Sequence, residues 1–320
     1  MAGREEGTGN SQERVLSKQG EEQQEESFGK QILGRIPKAL KDAWAGLKCN
    51  SKIEDWRVVS GKGEYLKLFS EALSKAIKNN KTHGVYVDSM SVDELEGATV
   101  ILHKSKKAGL VIDKNGTLHG VFKDPSLKIP YIIHDITLIA REMGCVRMDC
   151  FGGFLVRNYQ TLGFIPVAKL NFVEGFYPAE NPANATIRKE EPSVYVLVRN
   201  NDSNAVARNK IANGGYEYMS DGELDNLPTF NSYGGAIYFG DAIPVFEKKF
   251  GKDFDKGSAA FGVDDAFTLF EECNLPKQTI NDLIKSYKNK LKSLKNIDQY
   301  SFYVGAIKTL TDQLETTDES

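Results

Sequence analysis

The chain has 320 residues, of which 40% are hydrophobic, so it can bury at least one full apolar core and is not disordered throughout. A formal net charge of -3 and a pI near 5.9 exclude a strong overall attraction to nucleic acid or to anionic membranes. Four cysteines and four histidines occur without a C-x-x-C pair or two histidines four residues apart. Neither a disulfide framework nor a metal site is therefore expected.

The N-terminal part of the chain is polar. Residues 1–27 are rich in Glu, Gln, Gly and Ser, a composition that predicts a disordered acidic arm. Over residues 28–56, apolar side chains recur every three to four positions and predict a helical lead-in that is interrupted near Pro37. The arm lacks the apolar core of a signal peptide, and nowhere do about 18 apolar residues run together. These features predict a soluble protein of a reducing cytoplasm without a membrane partner.

Residues 57–200 combine helical and β-rich patterns. Apolar stripes predict helices at 64–78 and 131–143, and a third helix is predicted at 152–162. Strands are predicted at 84–88, on both sides of the Lys114-Asn115-Gly116 turn, and in the segments CVRMDCF, FIPVAKLNF and SVYVLVRN. This order predicts an α+β or mixed α/β fold in which helices flank a central mixed sheet.

The C-terminal part changes character twice. Residues 201–240 are rich in turn-forming residues and are predicted to be a linker or a loose extension. Residues 241–312 are predicted to be mostly helical, and residues 313–320 to be a polar tail. Four lysines form a basic stripe between residues 285 and 295, which suits either a solvated helix face or phosphate contacts. Flanking aspartates and few aromatic residues favour the solvated face, so nucleic acid is not an expected partner.

The segment MDCFGGFLVRNYQTLGFIPVAKLNF joins a strand, a short helix and a second strand that starts at Gly163-Phe164. This pattern resembles the last third of the GNAT (Gcn5-related N-acetyltransferase) fold, and the resemblance covers roughly residues 57–200. More narrowly, this segment, GLVIDKNGTLHGVFKDPS and PSVYVLV are similar to the GNAT-like domain of bacteriophage and prophage proteins. The resemblance implies a GNAT-like central sheet and acetyl-CoA as cofactor. It also implies that Tyr159, four residues before Gly163, protonates the departing thiolate of coenzyme A.

Two residues near the centre of this segment are candidate catalytic residues. Tyr159 is either the general acid or a packing residue whose hydroxyl is bonded locally. Asp149, in the preceding strand, either acts as a base or binds substrate, or else caps the Gly152–Gly153 turn.

The segment from Phe122 to Pro130 corresponds to the loop that holds the cofactor pyrophosphate in the resembled family. No glycine occurs between Gly120 and Gly144, so backbone N–H groups are poorly placed to surround a phosphate. The candidate cofactor-binding residues therefore act mainly through side chains: Phe122, Lys123, Ser126 and Lys128.

Two functions remain open. The missing glycines favour a divergent or catalytically silent GNAT-like protein of phage or prophage type, with an assembly or binding role in the virion or the host cytoplasm. Its protein partners would bind through the N-terminal arm or the C-terminal helices. The alternative is an acyl-CoA-dependent N-acetyltransferase that acts on an amine acceptor.

Overall fold

The computed structural model describes residues 36–59, 63–80, 87–172, 185–190, 192–273 and 275–318. Within these ranges, no helix combines the length and apolar character needed to cross a membrane. The arm predicted over 1–27, residues 28–35 of the predicted lead-in, and residues 84–86 of the strand predicted at 84–88 lie outside the described residues.

The described strands form one mixed sheet. They are β1 (Trp56–Val59), β2 (Thr99–His103), β3 (Ala108–Ile112), β4 (Thr117–Lys123), β5 (Arg147–Phe151), β6 (Phe164–Leu170), β7 (Val194–Arg199) and β8 (Thr229–Phe230). Their order in the sheet is β1-β2-β3-β4-β5-β7-β6-β8. Neighbouring strands are antiparallel except for the parallel pairs β4–β5 and β6–β8. The prediction of a central mixed sheet is therefore confirmed.

Helices flank this sheet on both faces. They are α1 (Lys38–Ala43), α2 (Glu64–Asn79), α3 (Ile132–Glu142), α4 (Phe154–Thr161), α5 (Ala185–Glu190), α6 (Asn204–Ala212), α7 (Asp221–Asp225), α8 (Tyr233–Phe250), α9 (Lys256–Phe270), α10 (Lys277–Ser293) and α11 (Ile297–Asp318). The helices predicted at 64–78, 131–143 and 152–162 correspond to α2, α3 and α4. Both α2 and α3 bury most of the apolar stripe that predicted them.

The turn between β3 and β4 forms where the sequence predicts it. The Asp113 side chain accepts hydrogen bonds from the backbone N–H groups of Asn115 at 2.9 Å and Thr117 at 2.8 Å. Gly116 has a φ of 79°, a conformation that residues with a side chain rarely adopt. A local hydrogen-bonding side chain and one glycine therefore fix this hairpin.

The two faces of the sheet bury different helices. The face that we call the α3 face packs on α3, α4 and residues 36–55, in an apolar core that includes Trp44, Ile136 and Tyr159. The opposite face, which we call the α2 face, is covered in two parts. There α2 packs on β2, β3 and β4, while α8 packs on β6 and β7 through an aromatic cluster around Phe239 and Phe246.

Residues 201–240 differ from the predicted linker. They contain α6, α7, β8 and the first residues of α8, and β8 extends the main sheet. The polar residues that suggested a linker instead start helices, because the side chains of Ser203 and Ser220 cap the first turns of α6 and α7. In the predicted polar tail, residues 313–318 belong to α11, which extends through Asp318.

Candidate functional site

The sheet has an opening between β4 and β5. These parallel strands pair only through Thr117–Arg147 and Leu118–Met148, although β4 continues to Lys123 and β5 to Phe151. We call the gap between residues 119–123 of β4 and 149–151 of β5 the sheet opening. In sheets with helical crossovers, ligands commonly bind where the carboxyl ends of neighbouring strands separate. The opening therefore has the position that ligand sites commonly occupy in such sheets.

A β-bulge in β4 borders the sheet opening. The pairing of β3 with β4 shifts register between Gly109 and Val111, so Leu110 faces two residues of β4, Gly120 and Val121. Gly120 has a φ of 53°, and a Cβ atom on it would lie 2.9 Å from the Met90 sulfur. Bulges redirect side chains and leave part of the strand ladder unpaired. This one interrupts β4 at the side of the gap.

Asp149 lies on β5 at the opening and points to the α2 face. Its neighbours Met148 and Cys150 point to the α3 face and are buried in the core. Asp149 Oδ1 accepts a hydrogen bond of 2.6 Å from the hydroxyl of Tyr233, the first residue of α8. Burial raises the pKa of the Asp149 carboxyl, although the Tyr233 hydrogen bond and the nearby His119 act in the opposite direction.

The capping role considered for Asp149 is not present. The backbone N–H of Gly152 donates to the carbonyl oxygen of Ser193 at 3.1 Å. Gly153 is the N-cap residue of α4, with a φ of 79°. The carboxylate is therefore committed to Tyr233 and not to the turn that follows its strand.

Further polar side chains surround Asp149 on the α2 face. His119 Nε2 is 3.2 Å from Asp113 Oδ2. Arg147 Nε donates to Thr117 Oγ1 at 2.7 Å, and the same guanidinium forms an ion pair with Asp241 of α8. With Asp149 and Tyr233 these residues form what we call the opening cluster: Asp113, Thr117, His119, Arg147, Asp149, Tyr233 and Asp241. Two of its members come from α8, so the C-terminal helices complete this side of the opening.

Tyr159 reaches β5 from the other face. Its side chain is buried in the core of the α3 face, and within the described residues its hydroxyl has no hydrogen-bond partner. Burial raises the pKa of Tyr159, and the neighbouring Cys150, Asp149 and Cys145 raise it further. The structure thus brings Tyr159 and Asp149, the two predicted catalytic residues, to one strand from opposite faces.

In the segment predicted to bind the cofactor, the polar side chains form hydrogen bonds to other groups of the same segment. Lys123 Nζ donates to the Ile129 carbonyl oxygen at 2.9 Å, and Lys128 Nζ to the Pro125 carbonyl oxygen at 3.2 Å. The Ser126 hydroxyl donates to Asp124 Oδ1 at 2.6 Å. All three polar side chains predicted to meet phosphate are therefore engaged within their own loop.

Asp124 is the main hydrogen-bond acceptor in residues 122–130, which we call the closed loop around Asp124. Its buried side chain accepts hydrogen bonds from the Ser126 N–H at 2.8 Å and from Asn79 Nδ2 at 2.7 Å, and its carbonyl oxygen accepts one from the Leu127 N–H at 3.0 Å. The loop thus holds an anion of its own and uses backbone N–H groups that a phosphate would need. The residues present do not fit a coenzyme A pyrophosphate.

Phe122 does not belong to this loop surface. It is buried among the residues that α2 packs on the sheet, and its ring makes an edge contact with Phe69 at a centroid distance of 5.5 Å. Successive residues of a strand point to opposite faces of the sheet, and the position of Phe122 in β4 directs its ring to the α2 face. The expectation that it contacts a cofactor is replaced by a core role.

Two surface cavities lie away from the sheet opening. One of about 370 Å³ lies between α10 and α11, beside Lys290 and Tyr303. The other, of about 360 Å³, lies beside Thr161 and residues 214–218. Neither is lined by a residue of the opening cluster.

Sequence reasoning did not single out Tyr233, Arg147 or Asp241. The segment SYGGAIYFGD, which contains Tyr233 and Asp241, has no phosphate-loop spacing and carries no motif. Its one local signal is Ser232, whose side chain caps α8 by accepting from the Gly235 N–H. That signal locates the helix and not its contact with Asp149, which lies 84 residues away in the chain.

The arrangement offers a proton acceptor in Asp149, a proton donor in Tyr159 and one imidazole in His119. It does not offer a preformed phosphate site. Comparisons of the chain with known protein families, with curated proteins and with solved structures give no match.

Proposed function

We propose that this chain is a divergent GNAT-like protein of the bacteriophage or prophage type, whose fold serves binding or assembly without acetyl-CoA-dependent catalysis. The sequence resemblance over residues 57–200 supports the GNAT-like part. The element order agrees with it, because a hairpin, a crossover helix, a parallel strand, the Tyr159 helix and two antiparallel strands follow one another.

The closed loop around Asp124 carries the non-catalytic part of the proposal. A coenzyme A pyrophosphate brings about two negative charges, which proteins meet with free N–H groups and cations. In this loop the N–H groups of Ser126 and Leu127 are already bonded, and the lysines donate to carbonyl oxygens. Two like charges about 5 Å apart repel by roughly 3 kcal/mol at an effective dielectric constant of 20. Asp124 would therefore oppose the phosphates.

Exposed apolar residues on the C-terminal helices support a protein partner. Phe261 and Leu269 of α9 are 74% and 57% exposed, and they lie about 80° apart around the helix axis. They are also about 12 Å apart along the axis. Large exposed apolar side chains on one side of a helix often belong to a protein-binding surface. In this proposal the C-terminal helices contact another protein of a virion or of the host cytoplasm.

An acyl-CoA-dependent N-acyltransferase is the second candidate function. The observation that favours it is the pair Asp149 and Tyr159 on the two sides of β5, one with a raised carboxyl pKa and the other with a raised phenol pKa. Perturbed pKa values are typical of functional groups, although ion-pair networks also produce them. In this alternative Asp149 is the proton acceptor and Tyr159 the proton donor.

Calorimetric titration of acetyl-CoA and coenzyme A into the full chain separates the two functions. The wild type is compared with Lys128→Glu, with Tyr159→Phe, and with Lys285→Glu as a matched exposed lysine on α10. The proposal expects no heat and no thermal shift at millimolar ligand. Micromolar binding that Lys128→Glu weakens, and that Tyr159→Phe and Lys285→Glu retain, would replace it with the acyltransferase.

A further inference from the structure

Three metal-ligating side chains meet between the N-terminal segment and the start of α3. They are Cys49, which follows a 3₁₀ turn, and His134 and Asp135 in the first turn of α3. One ligand atom from each lies within 4.8 Å of the other two. This group is separate from the opening cluster and shares no residue with it.

One nitrogen of the His134 ring, Nδ1, is buried without a hydrogen bond in the described chain. It lies 3.5 Å from Asp135 Oδ1. Two ligand atoms about 2.05 Å from a tetrahedral Zn²⁺ are roughly 3.3 Å apart, so the observed separation is close to one edge of a zinc site. A buried ring nitrogen without a partner usually has a ligand or water to bind.

Asp135 is a fully buried carboxylate that is held in place by donors. Asp135 Oδ2 accepts from the Ser51 N–H at 2.7 Å and the Ser51 hydroxyl at 2.6 Å, and the Asn50 N–H approaches both oxygens at 3.1 and 3.2 Å. Its side chain is 0% exposed, and in the described chain its one potential ion-pair partner is His134. Metal-binding carboxylates are commonly held by such outer hydrogen bonds. A cation beside it would offset the cost of burying the charge.

We propose that Cys49, His134 and Asp135 bind one Zn²⁺ ion. Sulfur, imidazole nitrogen and carboxylate oxygen together form a donor set that zinc accepts and that Ca²⁺ and Mg²⁺, which prefer oxygen alone, do not. The fourth ligand is a water, since Cys49 and His134 are only partly buried and leave access from solvent. The ion joins residues 36–55 to α3, beside the closed loop around Asp124.

Spacing rules do not reveal this group. His134 and Asp135 are adjacent in sequence, and Cys49 lies 85 residues before His134, so neither the C-x-x-C nor the four-residue helical pattern occurs. The hydrogen bonds from residues 50 and 51 to Asp135 bring the two segments together. The expectation of no metal, which rested on spacing, does not cover a site formed by packing.

Zinc titration of the full chain, freed of metal by a chelator, tests the proposal. The wild type is expected to bind one Zn²⁺ per chain, and Cys49→Ser and His134→Gln are each expected to weaken binding by about tenfold or more. Cys273→Ser and His119→Gln, which change a cysteine and a histidine outside the group, are expected to leave it unaltered. Zinc affinity that is the same in Cys49→Ser, in His134→Gln and in the wild type would overturn the proposal.

The cobalt spectrum of the wild type tests the thiolate ligand without relying on any variant. Co²⁺ bound to the wild type is expected to show the near-ultraviolet charge-transfer absorption of a cobalt–thiolate bond. This band is expected to disappear in Cys49→Ser and to persist in Cys273→Ser. A wild-type spectrum without the band would also overturn the proposal, because Cys49 is the one cysteine in the group.

Discussion

The carboxyl group of Asp149 is partly buried in the folded chain. Burial raises its pKa, so the folded chain holds this proton to a higher pH than the unfolded chain does. Stability is therefore lost as pH rises from the unfolded value, about 3.9, through the raised folded value. Asp149→Asn removes the charge and keeps an oxygen that accepts from Tyr233. We expect it to increase the free energy of unfolding by about 1–2 kcal/mol at pH 7.

Denaturant unfolding of this variant between pH 4 and 7 checks the expectation. The stability gain over wild type should grow with pH across that window. Asp253→Asn, at an exposed position, should show no comparable trend. A loss of stability in Asp149→Asn at pH 7 would mean that the carboxylate is stabilised in the folded chain, contrary to the direction of its pKa shift.

Tyr159 and Tyr216 differ in the hydrogen bonding of their hydroxyl groups. The Tyr159 side chain is buried and its hydroxyl donates to no described residue, while the Tyr216 hydroxyl donates to Asp202 Oδ2 at 2.7 Å. We expect Tyr159→Phe to leave stability unchanged or to raise it by about 1 kcal/mol, since no hydrogen bond within the described chain is lost. We expect Tyr216→Phe to lower stability by about 1 kcal/mol. Thermal unfolding of both variants measures the difference, and an equal loss in both would show that the Tyr159 hydroxyl is bonded locally.

The sequence identifies Tyr159 and Asp149 but not what surrounds them. Both lie within a short segment with a recognisable strand, helix and strand pattern. Their environment comes from α8 and from the α3 face, whose residues are far away in the chain. The contact of Asp149 with Tyr233 depends on how α8 packs across the sheet, and no local pattern encodes that packing.

At the scale of elements, α9 and α11 pack backbone against backbone. A Cβ atom on Gly262 of α9 would lie 2.0 Å from the Ser301 Oγ and 2.9 Å from the Asp298 carbonyl oxygen. A Cβ on Gly222 of α7 would meet nothing within 4 Å. We expect Gly262→Ala to lower stability by about 1–3 kcal/mol because α11 must shift. We expect Gly222→Ala to raise it by up to about 1 kcal/mol through helix propensity.

Chemical denaturation of the two alanine variants checks this contrast in sign. The same atom is added within a helix in both cases, so a shared effect of helix propensity cancels. Equal stabilisation of both variants would show that the α9–α11 contact is loose.

Elements with strong local patterns are predictable here, and those that depend on packing are not. The hairpin at Asn115-Gly116 and the helices α2, α3 and α4 carry turn residues or apolar stripes of their own. By contrast, β8 has only two residues, and its pairing with Lys169 and Leu170 follows from the position of α7 and α8. The sequence pattern of residues 201–240 therefore predicts a linker, although β8 in this segment pairs with the sheet.

At the scale of the whole molecule, the C-terminal helices are part of the sheet's core. The α2 face of β6 and β7 packs on α8 through Val167, Val196 and Phe239, and Gly240 approaches so closely that a Cβ would lie 3.1 Å from Val198. A chain that ends at residue 200, the predicted domain boundary, would expose these valines. We expect it to show no cooperative thermal transition, whereas the full chain unfolds with one. A truncated chain that melts at the temperature of the full chain would identify residues 201–320 as an independent domain.

The short reach of β8 leaves part of the sheet's border open. β8 pairs only with the last two residues of β6, so in the described chain residues 164–168 form an outer edge without a partner strand. Free edges invite pairing with another chain and growth into aggregates. Two features oppose this: Pro166 supplies no N–H to an incoming strand, and β8 blocks the far end of the edge. The same two residues that join the C-terminal helices to the sheet thus also help keep separate molecules apart.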